Sequence, residues 1–217
     1  MLFSNRAEAG RQLARELTPY KGRAPLLLAV PRGGVPLAYE IQRVLGGRLD
    51  LVIPRKIPAP HHSELALGAV AQDGSLVLNE DILARLKVPQ DYIAAEVSRQ
   101  LREIERRLAC YRGERPYPSL RGQTVIIIDD GVATGATLRA ALKMVREKKA
   151  QRLILAVPVG PAKTIATLRA LVDELVCLAT PEVFYAVGQF YADFGQVEDG
   201  EVRELLKKAW RETGDLA

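Results

Sequence analysis

One short stretch, residues 125–138, constrains the fold of this chain more than any other. It opens with four consecutive β-branched residues, which are typical of a strand buried on both faces of a parallel sheet. Two carboxylates follow, and then a loop of small residues at 131–137. After the loop, apolar residues recur at helical spacing, at Leu138, Ala141, Leu142 and Val145. The stretch therefore predicts a strand, an acidic pair, a tight loop and a helix.

The loop has the composition of an anion-binding site. Backbone N–H groups of small residues and the N-terminus of the following helix favour a phosphate, and Thr134 and Thr137 add hydroxyl donors. Asp129 and Asp130 precede the loop, where carboxylates can accept hydrogen bonds from sugar hydroxyls or hold a hydrated Mg²⁺. No lysine follows Gly135, which excludes a Walker loop. The alternative is a tight turn whose two carboxylates are only solvated.

The apolar run, the acidic pair and the Ala-Thr-Gly-Ala-Thr loop together resemble the phosphoribosyl pyrophosphate (PRPP) binding motif of type I phosphoribosyltransferases. The resemblance implies that Asp129 and Asp130 are catalytic, hold the ribose hydroxyls and bind the cofactor Mg²⁺ through water. It also implies that the loop binds the 5′-phosphate of PRPP, through Gly131, Val132, Ala133, Thr134, Gly135, Ala136 and Thr137.

Strand and helix patterns alternate along the middle of the chain. Strands are predicted at 26–30, 50–53, 125–128, 153–157 and 175–179. The alternation indicates an α/β protein with an open parallel sheet of about five strands and helices on both faces, as in the type I phosphoribosyltransferase fold. One domain is expected, with a core at about 23–179 and a small hood from the chain ends, at about 1–20 and 180–217.

Two further strand ends carry candidate pyrophosphate ligands. Ligands gather at the carboxyl ends of parallel strands, so these ends and the acidic pair should face one crevice. Resemblance to the pyrophosphate loop of the family, which often has a non-proline cis peptide, implies that Arg32 and Gly33 bind pyrophosphate. Lys56 lies where family members carry a pyrophosphate-binding cation. A simple helix-entry turn and a solvated lysine are the alternatives.

Residues 57–67 contain two prolines and little periodicity, which predicts a loop. They occupy the place of the flexible catalytic loop of the family, which closes over the site. The ionisable groups of this segment are His61, His62 and Glu64, and Glu64 is our candidate catalytic residue. Any of the three could act as general acid or base or contact pyrophosphate, and surface residues without a catalytic role are the alternative. A hairpin is predicted around 72–74.

The tail from Thr180 resembles the variable hood that binds the nucleobase in this family. Phe184 and Tyr185 are the candidates to stack on a flat base. Most of the tail aromatics are expected to form a small core against the N-terminal helix, with one or two facing the base. Family members that act on 6-oxopurines often carry Asp at the position of Ala133, and alanine cannot move a proton. The acceptor base therefore stays open.

The net charge and the distribution of cations narrow the class of binding partner. The net charge of +5 suits nucleic acid or a polyanionic small molecule. Because the cations are spread along the chain without interleaved aromatics, a phosphate-rich small ligand is favoured and nucleic acid is not expected. The Arg-rich face of a helix predicted at 91–111 is expected to be solvated, with a polyanion contact as the alternative.

The apolar runs are too short to cross a membrane. Cys110 and Cys177 are expected to be buried free thiols in the cytoplasm.

The expected function is transfer of a phosphoribosyl group from Mg-PRPP to a nitrogenous base, with release of pyrophosphate. The expected partners are PRPP and a nucleobase-like acceptor, with a homodimer left open. Two alternatives share the predicted fold. One is a regulatory protein that senses PRPP or nucleotides and binds nucleic acid. The other is a hydrolase or phosphorylase that acts on a ribosyl phosphate or a nucleotide.

Overall fold

The main sheet is parallel and has five strands. A computed structural model describes residues 2–60 and 62–214, with the backbone alone at 63 and 64. The strands of this sheet are β1 (Leu26–Ala29), β2 (Arg48–Leu51), β6 (Thr124–Ile128), β7 (Arg152–Val159) and β8 (Glu174–Ala179). Their order is β2-β1-β6-β7-β8, and all four pairings are parallel. The predicted open parallel sheet is therefore confirmed.

Helices cover both faces of this sheet. The α-helices of the described residues are α1 (Arg6–Glu16), α2 (Gly34–Leu45), α3 (Glu80–Leu86), α4 (Gln90–Arg112), α5 (Ala136–Glu147), α6 (Ala162–Arg169) and α7 (Asp199–Glu212). Successive strand residues point to opposite faces. Leu27 and Ile126 accordingly belong to the core formed with α1, α2 and α7, whereas Leu28 and Ile127 belong to the core formed with α5 and α6. Both faces of the central strands β1 and β6 are thus buried, which explains their nearly continuous apolar sequences.

A second, antiparallel sheet lies where a loop was predicted. It consists of β3 (Arg55–Ala59), β4 (His62–Val70) and β5 (Leu76–Leu78), in the order β3-β4-β5. The hairpin around 72–74 is confirmed, but the loop prediction for 57–67 is wrong. Pro58 was the cause of the error, because proline normally argues against a strand. Here it lies at a register shift in an edge strand, where the missing N–H costs little. The short helix α3, which buries no residue, was not predicted.

Asn5 caps α1, since its side chain accepts a hydrogen bond from the Glu8 N–H at 2.9 Å. Glu198 precedes α7 and makes no capping hydrogen bond through its side chain. One expectation needs correction, because Cys110 and Cys177 are free, as expected, but half-buried instead of buried. Over residues 2–60 and 62–214, no helix has the length and apolar character needed to cross a membrane.

The two chain ends contact each other above the sheet. Phe3 forms an isolated parallel bridge with Tyr191, and the Ala192 N–H donates to the Phe3 carbonyl at 2.8 Å. The Phe3 and Tyr191 rings lie 5.3 Å apart, and the Tyr191 and Phe194 rings 4.9 Å apart. The expected aromatic core of the tail is therefore confirmed.

A buried ion pair joins α4 to β2 and supports a stability prediction. The Arg112 Nε lies 2.6 Å from the Asp50 Oδ1, and the two side chains are only 6% and 8% exposed. Arg112→Met would leave Asp50 buried without its partner, so we expect the free energy of unfolding in urea to fall by about 3 kcal/mol. Arg43→Met is the control, because Arg43 is 56% exposed and its ion pair with Glu40 contributes about 0–1 kcal/mol. Equal losses in the two variants would contradict the assignment.

Candidate functional site

Two adjacent carboxylates follow β6 at the carboxyl edge of the sheet. Burial, and then the neighbouring charge of Asp130, raise the pKa of Asp129 well above its usual range. Burial also raises the pKa of Asp130, which Arg6 opposes by donating from Nε to the Asp130 Oδ2 at 2.8 Å. Arg6 comes from α1, and its side chain and that of Asp130 are 13% and 16% exposed. Burial and mutual repulsion therefore make it costly for both carboxyl groups to be charged at once, and one Asp130 oxygen is held by the N-terminal helix.

The loop after β1 packs directly on this acidic pair. A Cβ at Gly33 would lie 1.9 Å from the Asp130 Oδ2, so any other residue would displace the Asp130 carboxylate from its position. The peptide bond between Pro31 and Arg32 is cis. The Arg32 side chain turns away towards α7, where its NH1 lies 3.4 Å from the Asp199 Oδ1. The structure thus brings Gly33 and Asp130 together, whereas the Arg32 guanidinium is engaged at another element.

Two helix N-termini flank the acidic pair. α2 begins after Gly33 and α5 after Gly135, which has a left-handed φ of +74°. Neither helix has a capping side chain or an acidic residue in its first turn, whereas Asn5 caps α1 and Asn79 caps α3. Uncapped N–H groups and the positive end of the helix dipole favour anions. Because β1 and β6 are neighbours, the two anion-favouring helix ends lie on adjacent strands.

A cavity of about 520 Å³ lies beside the small-residue loop. Lys56, Thr134, Ala136 and Arg139 are among the residues that line it. The structure therefore places Lys56 next to the predicted phosphate loop. Arg139 was missed; it lies near the start of α5, where a cation opposes the helix dipole unless an anion is bound nearby. Its Nε is buried and has no hydrogen-bond partner in the described part of the chain.

The two predicted base-stacking residues differ in their surroundings. Phe184 is half-buried, and its ring lies 5.2 Å from that of Phe190, so it belongs to the aromatic core of the tail. Tyr185 is 87% exposed. The Ala133 carbonyl accepts a hydrogen bond from the Thr164 hydroxyl at 2.8 Å. His62 is exposed at the start of β4, whereas His61 and the Glu64 side chain lie outside the described residues.

The acidic pair has the donor set of a partly hydrated Mg²⁺. Within the described residues, no three His, Cys, Asp or Glu side chains converge in a way that would bind a metal directly. Mg²⁺ commonly keeps several waters and takes one or two carboxylates plus substrate phosphates. Asp129 and Asp130 therefore fit a Mg²⁺ ion that is held mainly by water and ligand oxygens.

Comparison with protein families identifies the class of this protein. The model of the phosphoribosyl transferase domain matches residues 63–194, which is more than half of the chain. The match includes the acidic pair, the small-residue loop and α5. The chain belongs to the phosphoribosyl transferase domain family.

Individual relatives agree with this assignment. Two curated proteins from strains CDC 1551 and H37Rv of Mycobacterium tuberculosis, each named "Putative phosphoribosyl transferase", are 43% identical over 97% of this chain and 48% of their own length. The chain thus spans about half the length of these relatives. The crystal structure of TT1426 from Thermus thermophilus is 42% identical, with a TM-score of 0.82, over 96% of this chain and 99% of that one. A Neisseria gonorrhoeae protein crystallised with bound ppGpp shares the fold alone, at 12% identity and a TM-score of 0.50, over 96% of this chain and 94% of its own.

Proposed function

We propose that this protein transfers a phosphoribosyl group from PRPP to a nitrogenous base and releases pyrophosphate. One observation carries the proposal: two uncapped helix N-termini lie on adjacent strands, with an acidic pair at the junction. PRPP has the matching arrangement, with a phosphate at one end, a pyrophosphate at the other and a sugar with two hydroxyls between them. The core at 23–179 provides this site, and the chain ends form a hood over it.

Each part of PRPP has a candidate binding element. The backbone of residues 131–137 and the hydroxyls of Thr134 and Thr137 would bind the 5′-phosphate. The Arg32–Gly33 backbone at the start of α2, together with Lys56, would bind the pyrophosphate. Arg139, in the same cavity as Lys56, adds a further cation for the phosphates.

The acidic pair would stabilise the reacting sugar. Cleavage of the bond to pyrophosphate develops positive charge on the ribose ring. Asp129 and Asp130 would accept hydrogen bonds from the ribose hydroxyls and supply negative potential there, in a site where burial strengthens electrostatics. A Mg²⁺ held through water by these residues would neutralise charge on the leaving pyrophosphate. Arg6 keeps one Asp130 oxygen in place through a hydrogen bond from its Nε.

The base would lack a proton acceptor from the phosphate loop. Ala133 carries no ionisable group, and its carbonyl is occupied by Thr164. Glu64, His61 and His62, on or beside the hairpin that carries Lys56, remain the candidate general acids or bases, with Glu64 first. A panel of nucleobases with Mg-PRPP, followed by pyrophosphate release, tests the proposed reaction. No release with any base, despite measurable PRPP binding, would contradict it.

The exposed Tyr185 supports a prediction about the acceptor. Tyr185→Ala should raise the KM for the base by about tenfold, since base–aromatic stacking contributes about 1–3 kcal/mol. Its melting temperature should not change, because the side chain is 87% exposed. Phe184→Ala is the comparison, and it should lower the melting temperature because Phe184 packs on Phe190. An unchanged KM in Tyr185→Ala would remove Tyr185 from the base site.

A further inference from the structure

A second concave surface lies on the far side of β3 from the proposed transfer site. It is a hollow of about 360 Å³ between β3 and α4, lined by Arg55, Arg99, Gln100, Arg102, Glu103 and Arg106. We call it the arginine hollow. The Arg-rich face of α4 alone would suggest a solvated helix surface. The structure adds Arg55 from another element, so that face becomes one wall of an open hollow.

The arginine hollow has a rigid, buried polar floor. Gln100 is 4% exposed, and its amide NH₂ donates to Glu96, which is 8% exposed. The amide oxygen of Gln100 accepts a hydrogen bond from the Arg55 Nε. Arg55 is therefore held in a fixed position by a buried amide, unlike a free surface side chain.

The arginine hollow contains more positive charges than its carboxylates neutralise. Four arginines share the two carboxylates of Glu96 and Glu103, and they are Arg55, Arg99, Arg106 and Arg107. Arg102 lines the hollow as a fifth cation. Glu103 accepts from both Arg106 and Arg107 at 2.8 Å and lies 3.9 Å from Arg55. Arg102 makes no ion pair with any described residue. Burial, followed by the charge of Arg107, lowers the pKa of Arg55, as expected where cations crowd together.

We propose that the arginine hollow binds a short oligophosphate, either an inorganic chain or the phosphate tail of a nucleotide. Guanidinium groups present forked N–H donors that match phosphate oxygens. Arg99 and Arg106 each direct Nε and NH2 to a glutamate, which leaves their NH1 groups and the guanidinium of Arg102 for a ligand. The size of the hollow favours a small polyanion over an extended nucleic-acid backbone, because pockets of about 300–1,000 Å³ suit small ligands. The hollow contains none of the residues assigned to phosphoribosyl transfer. An experiment that contradicts one proposal therefore leaves the other unaffected.

Calorimetric titration of inorganic tripolyphosphate tests the proposal. The titrations use the wild type and the Gly135→Leu variant, without Mg²⁺, so that binding at the small-residue loop is identified separately. Arg102→Gln and Arg106→Gln should each weaken tripolyphosphate binding by about tenfold or more, since each removes hydrogen bonds to a charged ligand. The matched control is Arg169→Gln on α6, which removes an exposed arginine from the opposite face of the main sheet and should leave the affinity unchanged. Unchanged melting temperatures exclude misfolding as the cause.

One outcome distinguishes an inorganic chain from a nucleotide as the ligand, and two outcomes would overturn the proposal. Tighter binding of a nucleoside triphosphate than of tripolyphosphate, with the same dependence on Arg102, would identify a nucleotide as the ligand. Equal affinities for Arg102→Gln and Arg169→Gln would overturn the site, because binding would then depend only on net charge. Arg102-dependent binding of a short RNA without binding of tripolyphosphate would also overturn it, in favour of a nucleic-acid surface.

Discussion

Gly135→Leu should weaken PRPP binding by about 10³-fold, since two or more hydrogen bonds to a charged phosphate, at about 1.5–3 kcal/mol each, would be lost. Gly135 has a φ of +74°, which a leucine rarely adopts. Its Cβ would also lie 3.2 Å from the Thr164 methyl group and 3.3 Å from Leu168. The loop would have to change shape to relieve both problems, and the N–H groups at the start of α5 would lose their common direction. Calorimetry with Mg-PRPP measures the effect.

Gly22→Leu is the matched control for this variant. Gly22 has nearly the same φ, +73°, but a Cβ at this position would have no atom within 4 Å. It precedes β1 at the opposite edge of the sheet. Both variants therefore carry the backbone strain of a left-handed leucine, and only Gly135→Leu should lose PRPP affinity. Wild-type affinity in Gly135→Leu would remove the phosphate assignment from residues 131–137.

Asp129→Asn should separate function from stability. It removes a charge that we assign to the ribose and Mg²⁺, so Mg-PRPP affinity should fall by about 10²-fold, the equivalent of one strong charged contact. Its melting temperature should be equal to or higher than that of the wild type, because the variant no longer buries a charge next to Asp130. Calorimetry measures the first effect, and thermal unfolding in EDTA measures the second.

The stability gained in Asp129→Asn is expected to depend on pH. Because burial and Asp130 raise the pKa of Asp129 in the folded protein, the folded state holds a proton at pH values where the unfolded state has lost it. The free energy of unfolding therefore falls as pH rises from the ordinary carboxyl pKa of about 4 towards the raised value. Asparagine does not titrate, so the advantage of Asp129→Asn should be smallest at the acid end of this window and grow with pH.

Asp130→Asn provides the contrast, since it breaks the contact with Arg6. We expect it to lower the melting temperature while it also weakens PRPP binding. A large loss of stability in Asp129→Asn, with Mg-PRPP affinity intact, would show that the acidic pair serves the fold and not the ligand.

Local signals predicted the parallel sheet and the order of strand, acidic pair, loop and helix at residues 125–138. The apolar strands, the acidic pair and the small-residue loop are contiguous in sequence, so their spacing alone predicts their geometry. The antiparallel sheet was missed because Pro58 normally excludes a strand, and only the pairing partner shows that it lies at an edge.

Contacts between distant segments could not be predicted. Arg6 reaches Asp130 from the first helix, and no local pattern links the two positions. Gly33 looks like an ordinary helix-entry residue, yet its small size is required by a carboxylate that follows another strand. Arg139 could have been suspected from its place near the start of α5, but its proximity to Lys56 depends on how the antiparallel sheet packs against α5.

Neighbouring residues of β3 serve two different cavities. Arg55 lines the arginine hollow, and Lys56, on the opposite face of the strand, lines the cavity beside the small-residue loop. A single peptide unit thus separates two sets of cationic side chains, so the backbone of β3 is the shortest covalent path by which a restraint on one set would act on the other. Thermodynamic reciprocity requires that whatever influence an anion in the hollow has on PRPP affinity, PRPP has in equal measure on that anion. The edge strand is therefore the place where availability of one phosphate compound would be communicated to the use of another.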